Sequence, residues 1–267
     1  MHFIVCIKQT PSSDKVQVDS KTGFLIREGV ASGINPFDEF AIEEGVRLKE
    51  RLPGSNVSVL TMGPPQAEQS LREALSRGCD QAFHVCDPAF AGSDTWATSY
   101  ALSLAIRKVA EQAPVGLVVC GKQTNDSDTG HIGPGIATWL DWPNTTYVRK
   151  VEEISAQTIR VERLMEDGYD IIEMPLPAVI SVVKEINVPR LATLRGKIAA
   201  KKSVIPRWSA ANLGCDPEKI GGKGSPTSVV RCFTPERRFG GLRIEGATAQ
   251  EKAAKLLDAL KERKLIK

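Results

Sequence analysis

The chain has 267 residues, of which 42% are hydrophobic and 25% are charged, and its formal net charge is +3. This composition predicts a water-soluble globular protein with one large domain, or with one domain and an appendage. The small net charge gives no reason to expect a nucleic-acid partner. The longest apolar runs, Phe3–Ile7 and Leu117–Cys120, are far shorter than the roughly 18–20 residues that cross a bilayer, so we expect no membrane insertion.

No basic segment precedes the first apolar run, as it would in a signal peptide, so we expect a cytoplasmic protein. Cysteines stay reduced in that compartment, and the six cysteines of this chain include no Cys-x-x-Cys pair. The three scattered histidines complete no zinc spacing, so no metal site is predicted. The cysteines that we expect to be structural and reduced are Cys6, Cys79, Cys86, Cys120, Cys215 and Cys232.

Strand and helix signals alternate up to about residue 140. Short apolar runs predict strands at His2–Ile7, Val57–Met62, Ala82–Cys86 and Val115–Cys120, and a polar loop with a Thr22-Gly23 turn follows the first of them. This alternation predicts an α/β fold with a doubly wound, mainly parallel, Rossmann-like sheet. Ligands of such sheets bind at the carboxyl ends of the strands, so the loops at that edge are the candidate sites.

The helices between these strands carry recognisable start signals. Asn35 precedes Pro36, which suits the first helical position, and we expect Asn35 to cap the helix and Asp38 to complete a capping box. Ser93 or Asp94 is expected to cap the long helix that follows the third strand.

After about residue 145 the pattern changes to antiparallel strands. These are predicted at Thr145–Val151, Thr158–Leu164 and Ile171–Met174, with a hairpin turn at Asp167-Gly168, before a last apolar strand at Ala178–Val183. They form an antiparallel extension of the main sheet.

From Lys184 onward the sequence is basic and poor in large apolar residues, and we expect stretches such as Gly221–Pro226 to pack no core. Thr248 and Glu251 form a capping box for a final helix that runs to about Arg263 and has leucines on one face. We therefore predict a Rossmann-like domain over residues 1–185 and, over 186–267, a C-terminal arm that packs on another subunit.

The densest functional signal is the Gly121–Pro134 loop, which follows the most apolar strand and leads into a helix. Backbone N–H groups at such a helix start favour a phosphate, Asp126 or Asp128 can hold ribose hydroxyls, and Thr129 can donate to phosphate. An ordinary surface loop remains the alternative, because glycine and aspartate are common in turns. Neither a Walker loop nor Gly-x-Gly-x-x-Gly is present.

Two further loops are expected at the same edge of the sheet, Lys8–Pro11 and Gly92–Thr95, each with helix capping or turn formation as its alternative role. No serine has a Gly-x-Ser-x-Gly setting, and no acid–base set is evident. We therefore predict no catalytic side chain and expect any chemistry to belong to a cofactor.

Together these segments resemble the β subunit of an electron-transfer flavoprotein. The resemblance runs in order along most of the chain and is carried by Val5–Gln9, Asn35–Glu44, Ser93–Ser99, Gly121–Pro134, Val161–Gly168, Pro177–Ser181, and Pro189–Leu194 followed by Lys201 and Lys202. Asp170 departs from the pattern, because the family has Glu or Gln there.

The resemblance implies a heterodimer with an α subunit that carries most of one FAD site, while the C-terminal arm of the β subunit extends around it. It also implies a nucleotide site in this chain. The residues assigned to that site are Cys6, Lys8, Asn35, Asp38, Met62, Gly63, Asp94, Thr95, Thr98, Gly121, Asp126, Asp128, Thr129, His131, Ile132, Gly133 and Pro134.

In simple electron carriers of this family the β nucleotide is AMP, and in electron-bifurcating members it is an FAD that takes a hydride from NADH. The bifurcating members have Asp-x-Asp-Thr-x-x-x-Gly-Pro, which is similar to Asp126–Pro134 here. Ser127 and His131 differ from the usual Gly and Gln. We interpret the site as an FAD site with NADH as electron donor, and AMP as the alternative.

Pro189–Leu194 resembles the recognition loop with which the family docks acyl-CoA dehydrogenase-type flavoenzymes. Within a stretch whose charges are all positive, we expect Leu194 to be an exposed apolar anchor for this partner, with a basic rim at Arg190, Arg195 and Lys197. The alternative role of Leu194 is a buried contact that closes the Pro189 turn. Two other hypotheses compete with this one. A stand-alone nucleotide-binding module has no need of residues 145–267, and an RNA-binding protein would interleave aromatic residues with the basic ones.

Overall fold

The computed structural model describes residues 1–11, 17–18, 25–26, 32–230 and 240–267, so the expected Thr22-Gly23 turn and Cys232 lie outside the described residues. Internal contacts divide the chain into two compact units, residues 1–231 and 232–267. Residues 186–230, which we assigned to the arm, are part of the first unit. The five cysteines within the described ranges are free thiols.

The helices are α1 Pro36–Arg51, α2 Glu68–Ser76, α3 Thr95–Ala110, α4 Ile132–Leu140, α5 Leu194–Lys202 and α6 Ala249–Glu262. The strands are β1 His2–Cys6, β2 Gln9–Pro11, β3 Gln17–Val18, β4 Leu25–Ile26, β5 Ser32–Ile34, β6 Asn56–Met62, β7 Gln81–Val85, β8 Val115–Gly121, β9 Asn144–Ile154, β10 Thr158–Leu164, β11 Tyr169–Pro175, β12 Ala178–Val182 and β13 Arg207–Trp208. The predicted strands are all present, with ends shifted by a few residues.

The main sheet has nine strands in the order β11-β10-β9-β12-β8-β1-β6-β7-β13. Strand β1 pairs in parallel with both β6 and β8, and β12 pairs in parallel with β8. Strand β10 pairs antiparallel with both β9 and β11, and the predicted Asp167-Gly168 turn lies in the hairpin between β10 and β11. The predicted α/β fold, with a mainly parallel sheet and an antiparallel extension, is therefore confirmed.

Two apolar layers cover the faces of this sheet, because α1 and α2 pack on one face and α3 and α4 on the other. One layer joins Ile42 and Leu71 to the sheet, and the second joins Ile106 and Ile136 to it. The helix that follows β1 packs on one face of the sheet, and the helix that follows β8 packs on the other face. The topological switch point of the sheet therefore lies between these two neighbouring strands. Ligand crevices of open α/β sheets lie at this point, outside the carboxyl ends of the strands.

The expectation that the chain packs no core after Lys184 is wrong for residues up to about 222. Trp208, on β13, is 8% exposed and stacks on Phe83 with ring centroids 4.8 Å apart. Few large apolar residues occur in this segment, but individual ones such as Trp208 and Ile220 are buried against the sheet domain. The apolar content of a whole segment does not reveal single apolar residues that are buried against another part of the chain.

The glycine-rich stretch also packs closely. Gly221 has a φ of +61°, and a Cβ placed there would lie 2.5 Å from the carbonyl oxygen of Ala89. The N–H of Gly222 donates to the carbonyl of Ala91 at 3.2 Å. The glycines are therefore needed for the close approach of two backbones, which is a use that the sequence alone did not indicate.

In the second unit, α6 begins after the predicted cap Thr248, and Glu251 bonds back to the residue before the cap instead of to Thr248 itself. The N–H of Glu251 donates to the Thr248 hydroxyl at 3.2 Å, and the Glu251 carboxylate accepts the N–H of Ala247 at 2.9 Å. Leu256 and Leu257 of this helix are about half exposed. Over the described ranges, none of the helices combines the length and the apolar character needed to cross a membrane.

We predict that Trp208→Ala lowers the free energy of unfolding by about 3–5 kcal/mol, because a large buried ring is lost and leaves a cavity. Trp208→Phe keeps a ring opposite Phe83 and should cost much less. Urea unfolding of both variants measures this difference. Wild-type stability in the alanine variant would contradict the packing of residues 186–222 on the sheet domain.

Candidate functional site

The loops that follow β1 and β8 meet at the switch point of the sheet. Lys8 lies in the first loop, and its backbone N–H donates to the Asp38 carboxylate at 2.7 Å. Its ammonium binds both carboxylate oxygens of Asp126, in the second loop, at 2.8 and 2.7 Å. One lysine thus joins the start of α1 to the Gly121–Pro134 loop.

Asn35 joins the start of α1 to the loop after β8, although we expected it to cap α1 through its side chain. Its amide nitrogen donates to the carbonyl of Gln123 at 2.8 Å, and its amide oxygen accepts the N–H of Asn125 at 3.1 Å. No side-chain capping bond is made at Asn35, and Asp38 bonds Lys8 instead of closing a capping box. The prediction of side-chain capping is therefore wrong, because backbone groups of the loop after β8 bind the Asn35 side chain and the backbone of Lys8, after β1, binds the Asp38 side chain.

Gly121 is the point of closest approach between the two loops. A Cβ at this position would lie 2.3 Å from Oδ1 of Asp38 and 2.8 Å from the carbonyl carbon of Phe37. Any larger residue would force the loop after β8 away from α1. The sequence assigned Gly121 to the site, and the contacts give the reason why glycine is needed there.

Asp38 is the most perturbed acid of this region. Burial raises the pKa of its carboxyl to about 7, although hydrogen bonds from Asn35 and Lys8 and the positive charge of Lys8 oppose the change. The Asp38 carboxyl therefore changes protonation near neutral pH, directly beneath the crevice between the two loops.

Asp126 behaves in the opposite way. Burial alone would raise the pKa of its carboxyl, but the hydrogen bond and the charge of Lys8 outweigh this and hold the pKa below its usual value. The side chains of Lys8 and Asp126 are 42% and 19% exposed. The crevice therefore presents one ammonium and one carboxylate to a ligand, each able to exchange its partner for a polar group of that ligand.

The rest of the Gly121–Pro134 loop is polar and exposed. Asp128 has a φ of +55° and receives a hydrogen bond from Gln123, and Gly130 has a φ of +68°. Asp126, Asp128, Thr129 and His131 are exposed. Helix α4 then begins at Ile132 without a side-chain cap from any described residue, which leaves backbone N–H groups at its amino end for an anion.

Gly133 lies in the first turn of α4, where that helix faces the sheet. A Cβ at Gly133 would lie 3.6 Å from Cβ of Ser181 and 3.8 Å from Cβ of Cys120, both on the sheet. The residue is buried, so it brings α4 close to β8 and β12. Pro134 and Ile132, on either side of it, are half-buried.

Three further assigned residues, Cys6, Met62 and Gly63, lie at or just after the ends of β1 and β6. Cys6 is buried in the apolar layer, and its thiol lies beside that of Cys120. Met62 packs against the same layer. The Gly63 N–H donates to the carbonyl of Val85 at 3.0 Å, which holds the loop after β6 to β7.

Asp94 is the helix cap that the sequence predicted, and it also binds a second segment. Its carboxylate accepts the N–H groups of Trp96 and Ala97 at 2.9 and 3.1 Å, and the N–H and hydroxyl of Thr227 at 3.0 and 2.8 Å. Four donors saturate this carboxylate. Thr95 and Thr98, in the first turn of α3, are half-buried.

The residues assigned to partner docking lie on α5 and on the chain before it. Leu194 is the first residue of α5 and is 76% exposed, and Arg195 and Lys197 are exposed beside it. Arg190 differs from them, because its guanidinium forms ion pairs with Glu43 and Glu50 of α1. The sequence contained no signal for these pairs, which join residues 140 or more positions apart.

The pKa of Asp38 generates a prediction about stability. The folded carboxyl has a pKa of about 7, whereas an ordinary Asp carboxyl has a pKa of about 3.8, so between these values the folded protein holds a proton that the unfolded chain has lost. Stability contributed by this group therefore falls as the pH rises towards 7. We expect wild type to lose about 3 kcal/mol relative to Asp38→Asn between about pH 5 and pH 8.

Urea unfolding of both proteins at the two pH values measures this loss, and the comparison cancels titration of the histidines, which is common to both. A constant difference in stability between wild type and Asp38→Asn across this range would contradict the raised pKa.

A model of the electron transfer flavoprotein domain matches residues 22–213. The caffeyl-CoA reductase-Etf complex subunit CarD of Acetobacterium woodii is 44% identical over 266 residues, which cover both chains completely. The electron transfer flavoprotein subunit beta of Thermoanaerobacterium thermosaccharolyticum is 45% identical over 267 residues, again with complete coverage. Protein FixA of Azotobacter vinelandii is 46% identical over 241 residues, or 89% of this chain and 85% of FixA. The chain therefore belongs to the electron transfer flavoprotein family, as a β subunit.

Proposed function

We propose that this β subunit binds FAD in the crevice between the loops after β1 and β8, and that with its α subunit it accepts electrons from NADH and bifurcates them. The observation that carries the proposal is the exposed Lys8–Asp126 pair, which lies at the switch point of the sheet together with the Gly121–Pro134 loop. A nucleotide needs a cation and free N–H groups for its phosphates and a carboxylate for its ribose, and this crevice supplies all of them.

The described residues fit such a ligand. The Lys8 ammonium would leave Asp126 and bind a phosphate, while the Asp126 carboxylate would accept hydroxyls of the ribose. Thr129 and the first N–H groups of α4 would donate to the phosphates. Side chains of the protein would hold and orient FAD at this site, and the bound cofactor would supply the capacity to take a hydride from NADH.

AMP is the alternative ligand, because it offers the same ribose and phosphate groups. Two observations favour FAD. Asp126–Pro134 is similar to the sequence of the bifurcating members at this site. In addition, the chain is 44% identical over its full length to CarD, a subunit of a caffeyl-CoA reductase-Etf complex.

The proposed α subunit would cover α6. Its Leu256 and Leu257 are about half exposed, and no residue of α6 is buried within the described structure. An amphipathic helix with an uncovered leucine face has an apolar stripe available for a partner. We assign that stripe to the α subunit of the heterodimer.

The proposed acyl-CoA dehydrogenase-type partner would bind residues 187–203, which we call the docking segment. Leu191, Leu194 and Ile198 of this segment are 88%, 76% and 52% exposed. The predicted anchor Leu194 thus has apolar neighbours that the sequence reasoning did not single out. Arg195 and Lys197 would steer the approach of an acidic partner surface.

The test of the nucleotide assignment is Asp126→Ala in the heterodimer. Loss of a charged hydrogen-bond partner should weaken nucleotide binding by about 10- to 100-fold, from roughly 1.5–3 kcal/mol for such a bond. The α flavin should stay bound. Glu166→Ala, at the exposed hairpin tip, is the control and should bind nucleotide normally.

An anaerobic titration with NADH then measures the function, because reduction bleaches the flavin. Wild type should be bleached by NADH, and the response of Asp126→Ala should fall in proportion to the β nucleotide that this variant has lost. A protein with two flavins that ignores NADH and NADPH would contradict bifurcation. One flavin and one AMP per heterodimer would favour the plain electron carrier, and a colourless monomer would favour the stand-alone module.

The docking assignment predicts that Leu194→Ala weakens binding of the dehydrogenase by roughly 1–3 kcal/mol, which is the usual range for a central apolar anchor. Its flavin spectrum and melting temperature should match wild type. Arg195→Ala should instead slow association and reduce its dependence on salt. Rates of electron transfer at several dehydrogenase concentrations separate these effects. A Leu194→Ala protein that docks normally but melts early would show that Leu194 is a structural residue.

A further inference from the structure

Arg190 lies within the docking segment, but its contacts point into the protein. Its backbone N–H and its Nε both donate to Oε2 of Glu43, at 3.0 and 2.8 Å, and its Nη2 donates to Oε1 at 3.1 Å. The same guanidinium binds Glu50, with Nη1 to Oε1 at 2.6 Å and Nη2 to Oε2 at 3.0 Å. Two glutamates of α1 thus hold one arginine through its side chain and its backbone.

Glu43 is the buried member of this cluster, with its side chain only 3% exposed. Burial raises the pKa of its carboxyl, but hydrogen bonds from Arg190 and Arg47 outweigh this and hold the pKa below its usual value. Glu43 therefore stays ionised and needs its cations, because an unpaired buried carboxylate is strongly unfavourable. A partner protein has no access to it.

Further bonds hold the rest of the docking segment. Near its start, the Asn187 amide donates to the carbonyl of Phe40 at 3.0 Å and to the Glu44 carboxylate at 3.1 Å. At its end, Arg72 of α2 donates to the carbonyl of Ala200 at 2.7 Å, which ties down the last turn of α5. The exposed leucines of the segment lie between these two attachments.

We propose that Arg190 and Glu43 are positioning residues, which hold the docking segment so that Leu191 and Leu194 face a partner before it binds. This inference rests on the proposed docking function. Binding by a segment that is already fixed avoids the entropy cost of ordering it in the complex. Arg190 acts on docking through α1, whereas Arg195 and Lys197 are exposed and show no ion pair with the described residues.

Glu43→Gln separates positioning from a surface charge, because the two roles predict opposite results. Removing a buried negative charge makes the protein more positive, so a steering role for Arg190 predicts equal or faster association. A positioning role predicts that the KM for the dehydrogenase rises about threefold to tenfold, from the usual ordering cost of immobilised side chains. The kcat at saturation and the flavin spectrum should be unchanged.

Arg190→Lys is the second variant, and it keeps the charge while it loses the fork that binds both glutamates. It should raise the KM in the same way and leave the salt dependence of association as in wild type. Glu39→Gln is the matched control, because Glu39 lies on the same helix and pairs with Arg77, outside the docking segment. It should dock as wild type does.

Wild-type or lower KM values in both Glu43→Gln and Arg190→Lys would overturn the positioning role. If one of these two variants does not fold, the KM of the other variant decides. Leu194→Ala, measured in parallel, separates the two proposals. If Leu194→Ala docks normally, the docking function itself fails, whereas weakened docking in Leu194→Ala alone removes only the role of Arg190 and Glu43.

Discussion

The bond between the Lys8 backbone and the buried Asp38 carboxylate is the contact on which the candidate site depends. It fixes the loop after β1 against the first turn of α1. Gly121 allows the loop after β8 to approach the same carboxylate, so three segments converge on one side chain. The cost of burying Asp38 appears as its raised pKa. Because the backbone of Lys8 is fixed in this way, its ammonium reaches Asp126 across the switch point of the sheet.

Helix α1 links this site to the docking segment. Asp38 lies in its first turn, and Glu43 and Glu44 follow after five and six residues, which is roughly 8 Å along the helix axis at 1.5 Å per residue. Asp38 contacts the crevice, while Glu43 binds Arg190 and Glu44 binds Asn187. One rigid helix therefore fixes the geometry of both proposed functions. Apolar residues of the same helix, such as Ile42 and Val46, anchor it on the sheet.

The strands, the sheet class and the hairpin were predictable from the sequence, because they depend on local apolar patterns and turn residues such as Asp167-Gly168. The caps at Asp94 and Thr248 were predictable for the same reason. Residues far apart in sequence decide the rest. Asn35 met every local requirement of a cap, yet backbone groups nearly 90 residues away bind its side chain.

The same limit explains the packing after residue 186 and the role of Gly133. Trp208 and Gly221 gain their partners from the β7–α3 region, and a composition window contains no information about those partners. Gly133 lies in the loop that the sequence singled out, and a Cβ at this position would face the sheet. A glycine-rich loop in a sequence indicates that some group packs closely against its backbone, but it does not indicate whether that group is a ligand or another part of the protein.

A crystal structure of the αβ heterodimer with its copurified nucleotide tests the central claim most directly. The account predicts a nucleotide in the crevice, with a phosphate at hydrogen-bonding distance from the Lys8 ammonium and ribose hydroxyls on the Asp126 carboxylate. The direct bond between Lys8 and Asp126 should then be broken. An intact Lys8–Asp126 pair, with the nucleotide bound elsewhere on this subunit or absent from it, would contradict the account.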